Sequence, residues 1–261
     1  TYDFAQRPEY GGLMLAEQGT SGKTVNRMLH INRHSEDLLS KLEAVRLLCR
    51  ESGCAQRYLT HDALNAIYQA TWQMTEDTGG EQHERFLSYL HRIQDEDLTL
   101  GVAMTDGKGD RSKRPGDQQN IDSYVHITER RAEGIVISGA KAIVTGGPYM
   151  HELLVMPCRT MRKEDADFAV CCAVPIDAKG LTIISRPAGR PGEADAEFSS
   201  KYGQSVAVCH FDQVLVPWDQ VFLAGEAEYT EHLVTSYANH HRHSCIGARA
   251  GFGDLLIGAG A

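Results

Sequence analysis

The stretch Met104-Thr-Asp-Gly-Lys-Gly-Asp-Arg-Ser-Lys-Arg-Pro115 divides the chain into two kinds of sequence. It carries almost nothing apolar, so it has too little surface to bury in a core. Gly107 and Gly109 allow backbone conformations that other residues resist, which favours a tight loop. The backbone amides and cationic side chains suit a phosphate or another anion, although a solvated connecting loop has the same composition. We therefore expect a loop here, with an anion site in it as one of two interpretations.

Helical periodicity dominates before this loop. Ser35 is a residue type that caps helix N-termini, and Gly53 is placed to end the same helix. Further helices are predicted from Thr60 to Thr78 and from about Glu81 to Asp97, whereas residues 1–34, broken by glycines, are expected to be irregular. The inner face of the first helix is predicted to carry Leu38, Leu39, Leu42, Val45 and Leu48. Residues 1–99 therefore resemble an antiparallel helical domain with short loops.

Short β-branched runs dominate after the loop. The clearest is Gly134-Ile-Val-Ile-Ser-Gly-Ala-Lys-Ala-Ile-Val-Thr-Gly146, which has glycine at both ends. Such runs recur without long helices between them, which predicts an antiparallel sheet or barrel over residues 100–223. An exposed loop is expected at 186–202, and helical periodicity returns over 224–261. The fold class is therefore α+β: an N-terminal helical domain, a central antiparallel β domain and the start of a C-terminal helical domain.

Composition restricts the range of functions. Hydrophobic residues make up 42% of the 261 residues and charged residues 23%, and the net charge is −9 at pH 7. This balance argues against nucleic acid as the main partner, and the absence of a run of 18 apolar residues argues against a membrane span. Thr1–Leu15 lacks a basic segment followed by an apolar stretch, so we expect no signal peptide and a cytoplasmic protein. The seven cysteines are odd in number, which favours reduced thiols; Cys171, Cys172 and Cys209 are expected to be buried.

Two short stretches could carry chemistry besides the loop and Thr145. Gly53-Cys-Ala-Gln-Arg-Tyr58 lies between two predicted helices. His240-His-Arg-His-Ser-Cys245 places four candidate bases or ligands in six residues, although a structural cluster on a helix would have the same composition.

Three ordered blocks of this chain resemble a known family. They are Met104-Thr-Asp-x-Lys-Gly-Asp-Arg111, Gly139-Ala-Lys-x-x-x-Thr-Gly146 and Val216-Pro-Trp-Asp-x-Val-Phe222. They resemble the flavoprotein family of 4-hydroxybutyryl-CoA dehydratase and the oxygenase component of 4-hydroxyphenylacetate 3-monooxygenase. The resemblance runs from about Pro8 to the last residue, and its details are closer to the dehydratase branch.

The resemblance implies an acyl-CoA dehydrogenase-like fold, in which a large helical bundle follows the β domain. Only the entry to that bundle is present, so the remainder is expected outside this sequence or on a partner chain. The family also implies a homo-oligomer, a tetramer built as a dimer of dimers.

The same resemblance implies FAD as the cofactor. By position, the FAD phosphates and the isoalloxazine would contact Met104, Thr105, Lys108, Asp110, Arg111 and Thr145. Arg111 or Lys108 would neutralise the pyrophosphate, and Thr145 would donate a hydrogen bond near the flavin N5 edge. The alternative is that Asp110 and Arg111 form an ion pair that only holds the loop.

The dehydratase branch also holds a [4Fe–4S] cluster through three cysteines and a histidine. Two of those positions match Cys54 and His241, but the other two fall on Tyr58 and Ala248. The active-site Tyr and Lys of that branch fall on Cys245 and Arg249, whereas Gln56 and Thr145 match positions that face flavin and substrate. A relocated cluster would use Cys49, Cys54, His241 and Cys245; the simpler interpretation is that no cluster binds.

The monooxygenase branch has no cluster. Its substrate-contacting Tyr matches Tyr58, but its Arg position holds Cys54 and its His is lost near Gly101–Val102. The chain therefore fits neither branch in full.

Three functional hypotheses follow. The first is a FAD-dependent monooxygenase-like oxidoreductase, in which reduced flavin from a separate reductase activates O2 to hydroxylate an aromatic or other small substrate. Tyr58 would position that substrate and His241 or His243 would act as acid or base. The second is an acyl-CoA dehydratase or isomerase that uses flavin. The third is a non-catalytic or split-enzyme subunit.

Overall fold

A computed structural model describes residues 1–19, 21–53, 57–107, 109–186 and 204–261. Within these residues the α-helices are α1 (Tyr2–Gln6), α2 (Pro8–Met14), α3 (Ser35–Ser52), α4 (Arg57–Thr78), α5 (Gln82–Asp95) and α6 (Thr230–Gly260). The strands are β1 (Leu15–Glu17), β2 (Thr24–Asn26), β3 (Leu100–Ala103), β4 (His126–Arg130), β5 (Gly134–Thr145), β6 (Glu152–Val155), β7 (Val170–Pro175), β8 (Leu181–Arg186), β9 (Val206–Pro217) and β10 (Val221–Ala224).

The strands form two four-stranded sheets and one hairpin. The first sheet has the order β10-β7-β6-β3, the second has the order β4-β5-β9-β8, and β1 pairs with β2. Neither four-stranded sheet closes into a barrel. The prediction of purely antiparallel pairing is wrong at one place, because β3 and β6 run parallel with Leu100 opposite Glu152. The chain between them makes the β4–β5 pair of the other sheet, a connection long enough to return a strand in the same direction.

Helices, first sheet and second sheet stack as three layers. One core joins α4 and α5 to the first sheet through Leu154, Cys171 and Ala173, and the alternate residues Val155 and Cys172 of that sheet face a second core shared with the second sheet. The first sheet is therefore buried on both faces, which explains its continuous apolar strands. Cys171, Cys172 and Cys209 are buried as predicted.

Helix α3 shows where periodicity succeeded and failed. It ends at Gly53, whose φ of 69° is left-handed, as predicted from glycine at that point. Its N-cap is His34, one residue before the predicted Ser35. The predicted inner face is wrong at Leu39, which is 63% exposed, while Lys41 is fully buried. The segment 1–34 is also more regular than predicted, because it contains α1, α2 and the β1–β2 hairpin.

Helix α6 packs lengthwise against α3 and α4, and glycines allow the close approach. A Cβ at Gly247 would lie 2.6 Å from the Leu42 carbonyl oxygen, and one at Gly251 would lie 2.4 Å from that of Arg46. Because no side chain intervenes there, the α6 backbone reaches α3 directly. No helix of the described residues has the length and apolarity needed to cross a bilayer.

The division at 99/100 and 223/224 remains a prediction. The helix–sheet core crosses both boundaries, since it contains residues of α4, β3, β10 and α6. The loop predicted at 186–202 lies outside the described residues except for Arg186, which ends β8.

Candidate functional site

A buried carboxylate organises the space between α3, α4 and α6. Asp62 Oδ1 lies 2.7 Å from Lys41 Nζ, and neither side chain is exposed. The Ser244 hydroxyl donates to the same oxygen at 2.6 Å. The second oxygen, Oδ2, lies 3.3 Å from His241 Nδ1. One acid therefore holds a cation from α3 and two side chains from α6.

Two tyrosine rings stack on the His241 imidazole. Tyr58 stacks on it with ring centroids 5.9 Å apart, and Tyr237 stacks at 5.5 Å with an interplanar angle of 9°. The other ring nitrogen, Nε2, lies 3.6 Å from the Cys245 sulfur. Four-residue spacing on α6 places Cys245 beside His241 on one face of the helix.

Tyr58 and Tyr237 remain protonated in this setting. Burial raises the pKa of Tyr58, and the neighbouring Cys245 and Asp62 raise it further. Burial and Asp62 likewise raise the pKa of Tyr237. Half-buried Tyr58 is therefore a neutral hydroxyl that donates hydrogen bonds at neutral pH.

The histidine-rich stretch separates into two groups. His241 faces Asp62, whereas His240 and His243 line a groove of about 380 Å³ together with Leu38 and Gln69. Burial, with the charge of Lys41, lowers the pKa of His240 to about 4, so it is uncharged at neutral pH. The predicted four-residue cluster is therefore not one site.

The loop after β3 is held by a second buried ion pair. Lys141 Nζ lies 2.6 Å from Asp106 Oδ1, and each side chain is only 2% exposed. The ammonium also donates to the Met104 and Met156 carbonyl oxygens at 3.0 and 2.7 Å. These contacts hold the start of the loop against β5.

Among the described residues, the predicted FAD contacts belong to the loop after β3 and to the end of β5. The Thr105 carbonyl oxygen accepts from the Ala142 amide at 2.7 Å, and half-buried Thr145 ends the same strand. Arg111 is exposed. The alternative of an Asp110–Arg111 ion pair is wrong, because Asp110 Oδ1 instead accepts from the Ser112 amide and hydroxyl at 2.9 and 2.7 Å. Lys108 lies outside the described residues.

An apolar cleft of about 420 Å³ lies along the last part of β5. It is lined in part by Ala142, Ile143, Ile184 and Val208. Ile143 is 66% exposed and Ile184 61% exposed, so β5 and β8 present apolar surface to this cleft. A free cation, two hydroxyls and an apolar cleft are the groups that a pyrophosphate and its attached rings require. The residues present fit FAD.

Met104 connects the two regions. Its side chain packs on the core that contains Tyr237, the residue that stacks on His241. Residues of both regions therefore contact the same core. Gln56 and Cys54, predicted to face substrate or to bind iron, lie outside the described residues.

The described donors do not fit a [4Fe–4S] cluster. Tyr58 and Ala248 occupy two of the thiolate positions that the resemblance requires. Both nitrogens of His241 already face protein groups, namely Asp62 and Cys245. Among the described residues, no three His, Cys, Asp or Glu side chains are grouped so as to hold a metal ion.

Sequence reasoning missed Asp62 and Lys41. The available signal was a charged residue inside each of two apolar helical faces: Lys41 near Val45, and Asp62 near Leu64. Two opposite charges in such positions indicate a buried pair, because an unpaired buried charge is too costly to retain.

Comparison with known proteins gives one family and several relatives. The model of the family 4-hydroxyphenylacetate 3-hydroxylase N terminal matches residues 1–223. The 4-hydroxybutyryl-CoA dehydratase/vinylacetyl-CoA-Delta-isomerase of Clostridium aminobutyricum is 38% identical over the whole chain and 55% of its own length. The chain thus spans about half the length of the curated relatives it matches.

Solved structures agree with this assignment. An oxygen-tolerant archaeal 4-hydroxybutyryl-CoA dehydratase from N. maritimus superposes with a TM-score of 0.92 at 38% identity, covering 99% of this chain and 52% of the other. The oxygenase component of 4-hydroxyphenylacetate 3-monooxygenase, solved with FAD, gives 0.81 at 25% identity over 98% of this chain and 54% of the other. A putative acyl-CoA dehydrogenase from Mycobacterium smegmatis superposes with a TM-score of 0.54 at 12% identity, covering 87% of this chain and 52% of the other. This similarity confirms the predicted fold alone.

Proposed function

Because this chain belongs to the 4-hydroxyphenylacetate 3-hydroxylase N-terminal family, we propose that it forms the FAD-binding half of a flavin-dependent enzyme. Arg111 would neutralise the pyrophosphate, and the Thr105 and Thr145 hydroxyls would bind polar edges of the cofactor. Met104 and Asp110 would shape the loop around it. The exposed faces of Ile143 and Ile184 would cover its rings.

The reaction proposed first is hydroxylation of a small aromatic substrate. The observation that carries it is the half-exposed pair of Tyr58 and His241 in a site whose described donors do not suit an iron–sulfur cluster. FAD, when bound and reduced, would supply O2 activation. A separate flavin reductase would deliver it, as the name "oxygenase component" of the relatives suggests.

The residues of this chain would position the substrate and manage one proton. The neutral Tyr58 hydroxyl would donate a hydrogen bond to the substrate oxygen. His241 would accept or return a proton at Nε2, while Asp62 holds Nδ1. The stacked rings of Tyr58 and Tyr237 would hold the plane of the imidazole in place.

A second candidate is a flavin-dependent reaction on an acyl-CoA. It is favoured by the 38% identity to a dehydratase, against 27% to a monooxygenase oxygenase component from Thermus thermophilus. In that case the Tyr58–His241 site would hold the acyl group rather than a phenol.

The deciding experiment titrates purified protein with FAD and then follows product formation by mass spectrometry. Reduced FAD, O2 and a panel of phenols form one arm, and anaerobic incubation with hydroxyacyl-CoA and enoyl-CoA thioesters forms the other. Hydroxylated phenol that falls at least tenfold in Tyr58→Phe, with Tyr149→Phe as the exposed control, would support the first proposal. Converted thioester alone would favour the second candidate. FAD binding with no turnover, or no FAD binding, would favour the predicted non-catalytic or split-enzyme subunit.

A further inference from the structure

We propose that Cys245 is a nucleophilic thiol that accepts an acyl group from a small thioester, in a Cys–His–Asp array formed with His241 and Asp62. By the resemblance, the dehydratase branch has a tyrosine at this position, so the thiol is a feature in which this chain differs from that branch. The inference does not depend on FAD or on the reaction proposed above.

The array has the geometry of a nucleophile, a base and an orienting acid. The Cys245 sulfur lies 3.6 Å from His241 Nε2, and His241 Nδ1 lies 3.3 Å from Asp62 Oδ2. A carboxylate at Nδ1 favours the tautomer that carries hydrogen there, which leaves Nε2 as the acceptor facing the thiol. The same three roles recur on unrelated folds that perform acyl transfer.

The array is rigid on its acid side and open on its thiol side. Lys41 and Ser244 fix the other oxygen of Asp62 at 2.7 and 2.6 Å. The His241 side chain is 34% exposed, and Cys245 is half-buried. A small electrophile therefore reaches the sulfur without displacing the acid.

A donor for the developing negative charge is also present. Tyr58 stacks on His241, and burial, with Cys245 nearby, raises the pKa of its hydroxyl, which is therefore neutral at physiological pH. It is placed to stabilise charge on the sulfur or on the carbonyl oxygen under attack.

Four other described cysteines differ in their surroundings, which gives an internal reference. Cys171, Cys172 and Cys209 are buried among apolar residues. Cys158 is half-buried, but burial and the nearby Asp106 raise the pKa of its thiol. Cys158 therefore serves as the reference thiol for reactivity.

The step balances without an oxidant or a reductant. The Cys245 proton moves to His241 Nε2 as the sulfur attacks the thioester carbonyl, and a new S–C(acyl) bond forms. The C–S bond of the donor thioester breaks, and its thiolate takes the proton back from Nε2. The products are S-acylated Cys245 and a free thiol.

The test incubates purified protein with the acetyl thioester of N-acetylcysteamine and quantifies acetylated cysteine peptides by mass spectrometry. We expect Cys245 to acylate at least tenfold faster than Cys158, and His241→Gln to lower the Cys245 rate by about a hundredfold, the scale of general-base catalysis. His240→Gln is the matched control on the same helix and should leave the rate unchanged, because His240 faces the outer groove. Circular dichroism verifies that each variant is folded.

Equal acylation of Cys245 and Cys158 in the unaltered protein would overturn the proposal without any variant. So would a Cys245 rate that His241→Gln does not change. Iron bound by anaerobically purified protein and lost in Cys245→Ala would also overturn it, because the sulfur would then be a ligand. FAD titration of the same preparations reports separately on the proposed function.

Discussion

The Lys41 ammonium lies 2.7 Å from the Asp62 carboxylate, and neither side chain is exposed to solvent. Burial lowers the pKa of Lys41, and the Asp62 charge opposes that shift. The pair joins α3 to α4 directly beneath His241. Its integrity therefore governs both the stability of the helical layer and the orientation of the imidazole.

Replacing one partner of this ion pair should destabilise the fold strongly. We expect Lys41→Met to lower the free energy of unfolding by about 3–5 kcal/mol, because Asp62 would remain buried and charged. Urea denaturation followed by circular dichroism measures the change. Lys23→Met is the matched control, since Lys23 and Asp95 form an exposed pair at 2.6 Å, and such pairs contribute at most about 1 kcal/mol. Equal midpoints for the two variants would contradict the prediction.

Gly251→Ala should separate α6 from α3. The added Cβ would meet the Arg46 carbonyl oxygen at 2.4 Å and the Cys49 Cβ at 2.7 Å, and neither atom belongs to a flexible side-chain end. Forcing such contacts apart costs about 1–3 kcal/mol. Gly253→Ala, on the same helix, meets nothing within 4 Å and should be neutral or stabilising by up to about 1 kcal/mol. In thermal melts, Gly251→Ala should therefore lower the Tm, whereas Gly253→Ala should leave it unchanged or raise it. An equal decrease in both variants would contradict the prediction.

Acid should destabilise the protein partly through His240. Its folded-state pKa is lowered to about 4 from an ordinary value of 6.5, so the unfolded chain binds the proton more tightly. The stabilising contribution is complete above pH 6.5 and is lost as the pH falls towards 4, with a slope of at most about 1.4 kcal/mol per pH unit. His240→Gln should flatten the pH dependence of the unfolding free energy in this window. His232→Gln, at an exposed position, should leave the pH dependence of the unfolding free energy unchanged. Equal slopes in the unaltered protein and in both variants would contradict the role given to His240.

Lys141→Met should weaken FAD binding. Lys141 holds Asp106 and the Met104 carbonyl oxygen, and through them the start of the loop. Loss of these contacts should raise the Kd for FAD at least tenfold, about 1.4 kcal/mol, in a titration monitored by flavin fluorescence. Lys113→Met removes an exposed cation from the same loop. If Lys141 acts by positioning the loop rather than by its charge, Lys113→Met should raise the Kd for FAD less than Lys141→Met does.

Local patterns predicted the helices well because their signals lie within a few residues. Periodicity and Gly53 located α3, and the second predicted helix ends at Thr78 as α4 does. Strand β3 was missed because it is only four residues long and contains Gly101. The parallel partner of β3 lies about fifty residues away, and no local pattern encodes such a pairing.

The candidate site was predictable only in part, for the same reason. His241 and Cys245 were identified from spacing and resemblance, but Asp62 is 179 residues from His241 along the chain. Its burial depends on Lys41, which supplies the compensating charge from another helix. Helix packing decides whether two buried charges contact each other. The sequence shows only that each charged residue is present.

The packing of α6 on α3 also orders the assembly of the protein on the ribosome. Lys41 and Asp62, which join α3 to α4, are 21 residues apart, whereas Arg46 and Asp254, which join α3 to α6, are 208 apart. The first helices leave the ribosome long before α6 exists, so the ion pair beneath His241 stays hydrated while both sheets are being synthesised. Contacts of such long sequence separation form slowly because a large loop must close first. The nascent chain therefore exposes the surfaces of α3 and α4 that α6 later covers until a late stage, the state in which chaperones would recognise them.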